Sequence, residues 1–528
     1  MPIPFENIPA STLVPLFWAE VKPAQAPYIE QNKLLIIGHK WTTSANTEVG
    51  TADLNRVYPI SGDNAIELFG PGSLIDAMYR KARKQNRFRA IYGMAVAEPD
   101  AGVKADATIT VLSAASLTAK KFGMMQINIG GKVVAIRVNP TDTQAAIASR
   151  LKLEINKSSS LAVTAITHKA NYPAAGGAVD DTKVRLIAKH AGAYGNAIKI
   201  SFDPSGSASV RTLAERMLSK TGFANGSGNP TMATGLAALS DERFDTIALA
   251  FDAKAVLDSM TTFMDHDSGR WSAYQQVYGH VVACRSASLA TLLTNSEDYN
   301  DPHLTLVGVQ GSPDPTWEVA AAFAAKLNHH LEAPPEMSRP VQGIELVGVQ
   351  PPSLDDRWNI SERNQLHEAG IATCDVSSDG RVRINRAVTT YKYNTWGVRD
   401  ASWRDAETLY QASFFVRSMR AMLTGLFPRA ALTDDDKAIP GFASPGKIYD
   451  AIVHHYKGLD ALGLVENPDL FAQALVVERN DLDANRVDIL IRPDMVNQLR
   501  VIATLVETHL QLKDSFAIDG NDITEPEA

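Results

Sequence analysis

Thr246-Ile247-Ala248-Leu249-Ala250-Phe251 is a threonine followed by five uncharged apolar residues. A run this short and this apolar reads as a strand buried on both faces. A helical stretch follows it through Met264. The alternation then repeats, with strands at Val277–Cys284 and Leu304–Val309 and helices at Ser286–Thr294 and Trp317–Leu331. Short buried strands alternating with helices predict βαβ units and a parallel sheet from about Asp241 onward. The proline-rich stretch Pro334–Pro352 predicts a surface crossing.

Upstream of that centre the texture is different. Met125–Ile129 and Lys132–Val138 alternate around Gly130-Gly131, which predicts a β-hairpin. Thr141 with Gln144 predicts the start of a short helix. Ala162–Thr167, Val184–Lys189 and Ala197–Phe202 read as further strands, and Ala170–Asp181 as a loop. Glu98–Asp106 reads as the linker into this β-rich insertion. Further back, Lys33–Gly38 is a strand, and Phe69-Gly70-Pro71-Gly72-Ser73 turns into a helix. Ser73 is its expected N-cap, with Asp76 at the capping-box position. Leu74, Ile75, Met78 and Ala82 form the apolar face of that helix. Arg80, Lys81, Arg83, Lys84, Arg87 and Arg89 form a basic cluster, read as a solvated helix face or as a contact patch for an acidic partner.

Prolines at 2, 4, 9, 15, 23 and 27 exclude a regular helix from the first ~25 residues. Ile3, Phe5, Ile8, Leu13, Val14, Leu16, Phe17 and Trp18 nevertheless make that stretch apolar. An extended apolar arm needs a groove or sheet edge to lie in, its own or another subunit's. Downstream, Ala387–Asn394 is strand-like, and Arg404–Leu426 and Lys447–Leu462 are amphipathic helices. Ala474–Arg479 and Arg486–Arg492 read as strands, Val501–Leu512 as a last apolar strand or helix, and Lys513–Ala528 as an acidic tail.

A length of 528 residues predicts about three to five domains. The chain is 45% hydrophobic and 21% charged, an ordinary globular composition, so each domain can bury a core. A net charge of −8 argues against a dedicated nucleic-acid binder. No apolar run approaches the ~20 residues that span a bilayer, and Met1–Leu16 lacks the basic and apolar regions of a signal peptide. Cys284 and Cys374 are the only cysteines, too few for a disulfide framework or a multi-cysteine zinc site. Together these predict a soluble, multidomain protein made in a reducing compartment.

The catalytic echoes are incomplete. Gly441–Ile448 (GFASPGKI) approaches a phosphate-binding loop, but Ile448 stands where Ser or Thr would hold magnesium, and Asp434-Asp435-Asp436 precedes it. Asp267-Ser268-Gly269 echoes the acidic element of a subtilisin-type triad, without a matching His or Ser element; Asn229–Ala233 lacks the serine. His329-His330 and His454-His455 are adjacent pairs whose rings diverge by about 100° on a helix. His367–Gly370 lacks the second histidine of a zinc helix. No catalytic residue, metal ligand or cofactor is expected.

Several stretches together resemble the contractile tail sheath proteins of Mu-like myophages, and more loosely the sheaths of R-type bacteriocins and type VI secretion. They are Phe5–Pro9 with Val14–Leu16, Glu67–Ser73, Ala191–Ile198, Asn385–Tyr391, and Arg492-Pro493 to Leu512. Each is modest alone; their order and spacing make the likeness. The resemblance implies an α/β and α+β multidomain chain. It would comprise an N-terminal arm (1–26), the first part of a core domain (27–103), an inserted β-rich outer domain (104–205), a subtilisin-like α/β domain (206–385), a C-terminal sheath domain (386–512) and a C-terminal tail (513–528).

It further implies a structural subunit, not an enzyme, that polymerises helically around a tail tube and contracts to drive the tube through a host envelope. Ile3, Phe5, Ile8, Leu13, Val14, Leu16 and Trp18 would form the N-terminal inter-subunit arm. Val476, Val487, Ile489, Ile491, Val501, Leu505, Leu510 and Leu512 would form the C-terminal inter-subunit sheet. Implied partners are further copies of the chain, the tail tube protein, and baseplate and tail terminator proteins, with no nucleic acid and no membrane insertion. The location implied is the virion tail sheath, assembled in the host bacterial cytoplasm. A subtilisin-fold hydrolase and a surface adhesive protein stand as the alternatives.

Overall fold

The computed structural model describes residues 31–41, 49–113, 122–172, 177–202, 212–436, 439, 441–506 and 508. The N-terminal arm residues, and Leu510 and Leu512, lie outside them.

The chain begins one large sheet with β1 (Leu34–Gly38), β2 (Val57–Ile60) and β3 (Ile91–Ala95), and between them lie α1 (Asn64–Phe69) and α2 (Leu74–Gln85). Ser73 caps α2 as expected, accepting from the Asp76 backbone N–H. Asp76 reaches back one residue further than a capping box would, to the Gly72 N–H at 2.8 Å.

An excursion follows through β4 (Lys104–Val111), β5 (Gly123–Ile129), β6 (Lys132–Val138), α3 (Gln144–Lys157), β7 (Val163–Lys169), β8 (Val179–Ala191), β9 (Ile200–Ser201), α4 (Leu213–Met217) and β10 (Leu218–Lys220). These strands form two small sheets, β10-β4-β8-β7 and β6-β5-β9. The four-stranded sheet therefore draws its edge strand from beyond residue 205. The helix here is capped by Thr143, not Thr141, and runs 14 residues. The predicted strand 197–202 shrinks to two residues, because a 3-10 turn occupies Ala193–Ala197.

The chain then returns to the large sheet. After α5 (Ala233–Ala238) come β11 (Thr246–Leu249), α6 (Lys254–Met264), β12 (His280–Ser286), α7 (Leu289–Ser296), β13 (Leu304–Val309), α8 (Thr316–His330), α9 (Ile360–Glu368), β14 (Ile371–Val376) and β15 (Val382–Arg386). The sheet order is β15-β14-β13-β12-β11-β1-β3-β2. The six central strands are parallel, and an antiparallel strand closes each edge. Leu34–Ile37 and Thr246–Leu249 are buried throughout, as strands covered by helices on both faces must be. Helix α8 carries the largest buried side chains of the covering layer, Trp317 and Phe323.

Two expectations here are corrected. Pro334–Pro352 is not a plain surface crossing: Met337, Val341 and Leu346 are buried, and the segment lies against α10 (Ala406–Leu426) and the sheet edge. Ala387–Asn394 is not a ladder strand. Its amides bond to scattered partners, Thr389 to the Arg404 carbonyl at 2.7 Å and Thr390 to that of Leu304 at 2.8 Å.

The remainder packs beside the sheet: β16 (Ala431–Leu432), β17 (Phe442–Ala443), α11 (Pro445–Ala461), α12 (Pro468–Ala474), β18 (Val476–Arg479) and β19 (Val487–Leu490). Tyr456 stacks on Phe471 at 3.6 Å between centroids, joining α11 to α12. Residues 501–506 belong to no helix or strand, which corrects the expected last element. Nothing among the described residues pairs with them, and an apolar stretch with no partner has no ladder to join.

Candidate functional site

Two places qualify as candidate sites. The first is the crevice where an open parallel sheet usually holds a ligand, at the carboxyl ends of the strands where their order reverses. In this sheet that point lies between β1 and β11, at Gly38-His39 and Ala250-Phe251. The inserted module fills it. Gly192 adopts φ 149°, a conformation that favours glycine, and the following residues bring in the Tyr194 ring. That ring packs 5.4 Å from Phe251, 5.8 Å from His39 and 5.9 Å from Trp317, and its hydroxyl donates to the Ala191 carbonyl at 2.8 Å.

Beside it, His190 Nδ1 lies 2.7 Å from Glu98 Oε1, and Glu98 Oε2 accepts from the Ala191 N–H at 3.1 Å. Burial raises the Glu98 pKa, but the His190 hydrogen bond and charge outweigh it and hold the carboxyl at about 2. Burial, with His190 nearby, lowers His39 to about 4. His190 is itself lowered, chiefly by burial. Both rings are thus neutral at pH 7, and His190 donates to an ionised carboxylate. The crevice is an internal joint between module and sheet, occupied by the Tyr194 ring.

The motif echoes resolve similarly. Asp436 hydrogen-bonds the Ser444 hydroxyl at the N-terminus of α11, and a Cβ at Gly446 would meet its Oδ2 at 2.9 Å. The chain's own carboxylate occupies the place a phosphate would take. Asp434 pairs with Arg479 at 2.7 Å, so that acid is spent internally. Ahead of the Asp-Ser-Gly echo, Asp265 accepts from the Asp267 and Ser268 amides in a tight turn. The His329 and His330 rings stand at 75° to one another, and His455 bonds Ser418 at 2.8 Å. No group of three or more His, Cys, Asp or Glu that could hold a metal ion occurs among the described residues. Burial pushes the Cys374 thiol up to about 12 and raises that of Cys284 well above its ordinary value, so neither is poised to react.

The basic cluster divides. Lys81 is buried, 2.6 Å from Asp314 and 3.4 Å from Glu318, which corrects its assignment to a solvated face. Arg89 pairs with Glu332, and Arg80 with Asp76 at 2.8 Å. Lys84 and Arg87 remain exposed.

The second place is the C-terminal hairpin. Strands β18 and β19 pair antiparallel, Val476 opposite Leu490 and Val477 opposite Ile489, and among the described residues no third strand joins them. Val477, Val487, Ile489 and Ile491 are half-buried against the body, while Val476 and Leu490 face outward. Val487 and Ile489 thus share a face, and Val476 lies on the other. Arg500 anchors the exit of the chain on Glu407 at 2.9 Å. Beyond it the apolar side chains are bare, Val501 at 77% and Leu505 at 85% exposure. Leu499, Ile502 and Val506 share that exposure and are not among the named interface residues; Ile502 and Val506 lie within the apolar stretch 501–512, interrupted in 501–506 only by Thr504. No helix among the described residues is long and apolar enough to cross a membrane. An exposed apolar stretch of this kind is a candidate interaction surface.

Comparison with known proteins gives a consistent result. Residues 225–390 match the family model of the phage tail sheath protein central domain, and residues 398–509 match that of the phage tail sheath C-terminal domain. The two span more than half of the chain between them. The chain is 28% identical over 515 residues to the Mu-like prophage FluMu tail sheath protein of Haemophilus influenzae, covering 96% of this chain and 99% of that one. Among solved structures it is similar to a sheath tail protein of Desulfitobacterium hafniense, with a TM-score of 0.48, 13% identity and coverage of 91% and 97%. It is also similar to the anti-feeding prophage helical sheath in the contracted state, with a TM-score of 0.43, 9% identity and coverage of 95% and 100%. Likenesses at that level leave the weight on the two family models and the near-full-length relative.

Proposed function

The chain belongs to the phage tail sheath family, and from that premise we propose that it is joined to its neighbours by strands that leave one body and complete the sheet of another. It is a structural subunit of a contractile tail sheath, and so a component of a virion. The finer reading divides it into the arm 1–26, a core beginning at 27–103, an outer module at 104–205, a subtilisin-like domain at 206–385, a C-terminal domain at 386–512 and a tail at 513–528. It is not an enzyme and takes no cofactor.

The observation that carries the exchange is the pair formed by β18–β19 and the bare run after Arg500. A two-stranded sheet is marginal in water and offers open edges, and the exposed apolar segment has no strand partner among the described residues. A strand added from a neighbour satisfies both. Ile3, Phe5, Ile8, Leu13, Val14, Leu16 and Trp18 supply one such strand, and Val501, Leu505, Leu510 and Leu512 another. Val476, Val487, Ile489 and Ile491 receive them. A head-to-tail contact that does not close generates a helix. That helix surrounds the tail tube protein, and baseplate and tail terminator proteins meet its ends. Nucleic acid and membrane take no part, and assembly occurs in the host cytoplasm. Linked bodies rotate between two packings, so contraction needs no nucleotide.

Purified chain is expected to polymerise into tubes visible by negative-stain electron microscopy, and removal of residues 1–26 to leave it monomeric. Tubes unchanged by that removal would overturn the exchange.

A further inference from the structure

Arg83 fixes the loop that follows α2. Its guanidinium donates to the carbonyls of Arg87 and Arg89, both at 3.0 Å, and of Ile60 at 3.3 Å. The loop thereby presents Phe88, 92% exposed, beside Lys84 and Arg87. These three rim a broad open groove that Arg80 and Lys132 also line, with Lys81 and Glu318 at its base. Lys81, shared with Asp314, and Lys132 at 3.9 Å both face Glu318, and Asp63 is the other carboxylate in the lining. Lys84 and Arg87 carry no ion pair among the described residues. The groove is therefore strongly cationic with an aromatic lip, and it calls for a segment that is acidic and partly apolar.

The chain contains such a segment. Lys513–Ala528 sets Asp514, Asp519, Asp522, Glu525 and Glu527 against the single cation Lys513, with Phe516, Ile518 and Ile523 interspersed. We propose that the groove behind α2 docks this acidic C-terminal segment of a neighbouring copy. The assignment to a neighbour rests on the exchange reading above, since the tail travels with the 501–506 run that the reading passes to another subunit. Residues 509–528 span roughly 65–70 Å when extended, enough to reach past the strand they follow. Docking holds by charge complementarity between surface groups, so salt weakens it.

The test uses a fluorescent peptide of residues 509–528 and the full chain, dilute and unassembled, read by anisotropy. Saturable binding is expected, weakened at least tenfold by the pair Lys84→Glu and Arg87→Glu, and weakened likewise between 0.05 and 0.5 M salt. A peptide with Asp514, Asp519 and Asp522 changed to Lys should restore binding to the charge-reversed chain, which separates charge from misfolding. The proposal is overturned by absence of saturable binding, by indifference to Lys84→Glu and Arg87→Glu, or by equal affinity for a polyglutamate peptide of the same length. Binding seen only to a chain shortened to residue 508 also overturns it, because the groove then holds its own tail. Tube formation is read separately, so failure of strand exchange and failure of docking are distinguishable.

Discussion

The eight-stranded sheet and the C-terminal hairpin are made of the same residue types and end in opposite conditions. Leu34, Leu35, Ile36 and Ile37 are fully buried, with strands paired on both sides and helices over both faces. Val476 and Leu490 face outward from a sheet two strands wide, and Leu505 is bare. Burying a Leu or Val side chain contributes about 1.5–3 kcal/mol. The sheet draws on that contribution within one chain, whereas the run after Arg500 is left exposed by the described residues and, on the proposed exchange, draws on it from a second. On the proposed exchange the two regions divide the labour, one making a rigid body and the other linking bodies.

The largest expected effect breaks the closed region. Trp317→Ala opens a cavity in the helix layer over the sheet and should destabilise the isolated chain by about 3–5 kcal/mol, read as a lower urea midpoint. A change under about 1 kcal/mol would mean that the sheet is less closed than its burial implies.

Acid should act on the same region. Burial lowers His280 to about 3, and burial with His190 lowers His39 to about 4, against 6.5 unfolded. The unfolded chain takes up these protons first, so stability is full above pH 6.5 and falls as pH drops toward the folded values. Between pH 6.5 and 5 each group should cost about 2 kcal/mol. Unfolding midpoints at pH 7.5 and pH 5 check this, and equal midpoints would contradict it.

The smallest effect sharpens the contrast. Val501→Asp with Leu505→Asp should change the stability of the isolated chain by less than about 0.5 kcal/mol, since both side chains are largely exposed. A substantial loss would show that the segment folds back on its own body.

Local signals carried much of the architecture. The 246–251 run, the Leu304–Val309 strand and the Ser73 cap are each set by residues a few positions apart, and the structure has them where the periodicity puts them. The misses needed distance. Lys81 is buried because Asp314 and Glu318 come to it from more than 230 residues away, which no helix-face pattern encodes. Met337, Val341 and Leu346 are buried despite flanking prolines, since proline forbids regular structure without forbidding burial. The joint of His39, Glu98 and His190 left no trace in spacing for the same reason. In the candidate interface, Val487 and Ile489 were legible by alternation. The bare state of 501–506 was not, because an apolar run does not say whether its partner lies in the same chain.

That question is also where the account is most directly tested. Wild-type chain and the Val501→Asp, Leu505→Asp chain should be compared by negative-stain electron microscopy at matched concentration, with urea midpoints taken in parallel. The account predicts tubes from the first, dispersed particles from the second, and equal midpoints for the unassembled chains. Indistinguishable tubes from both would contradict it.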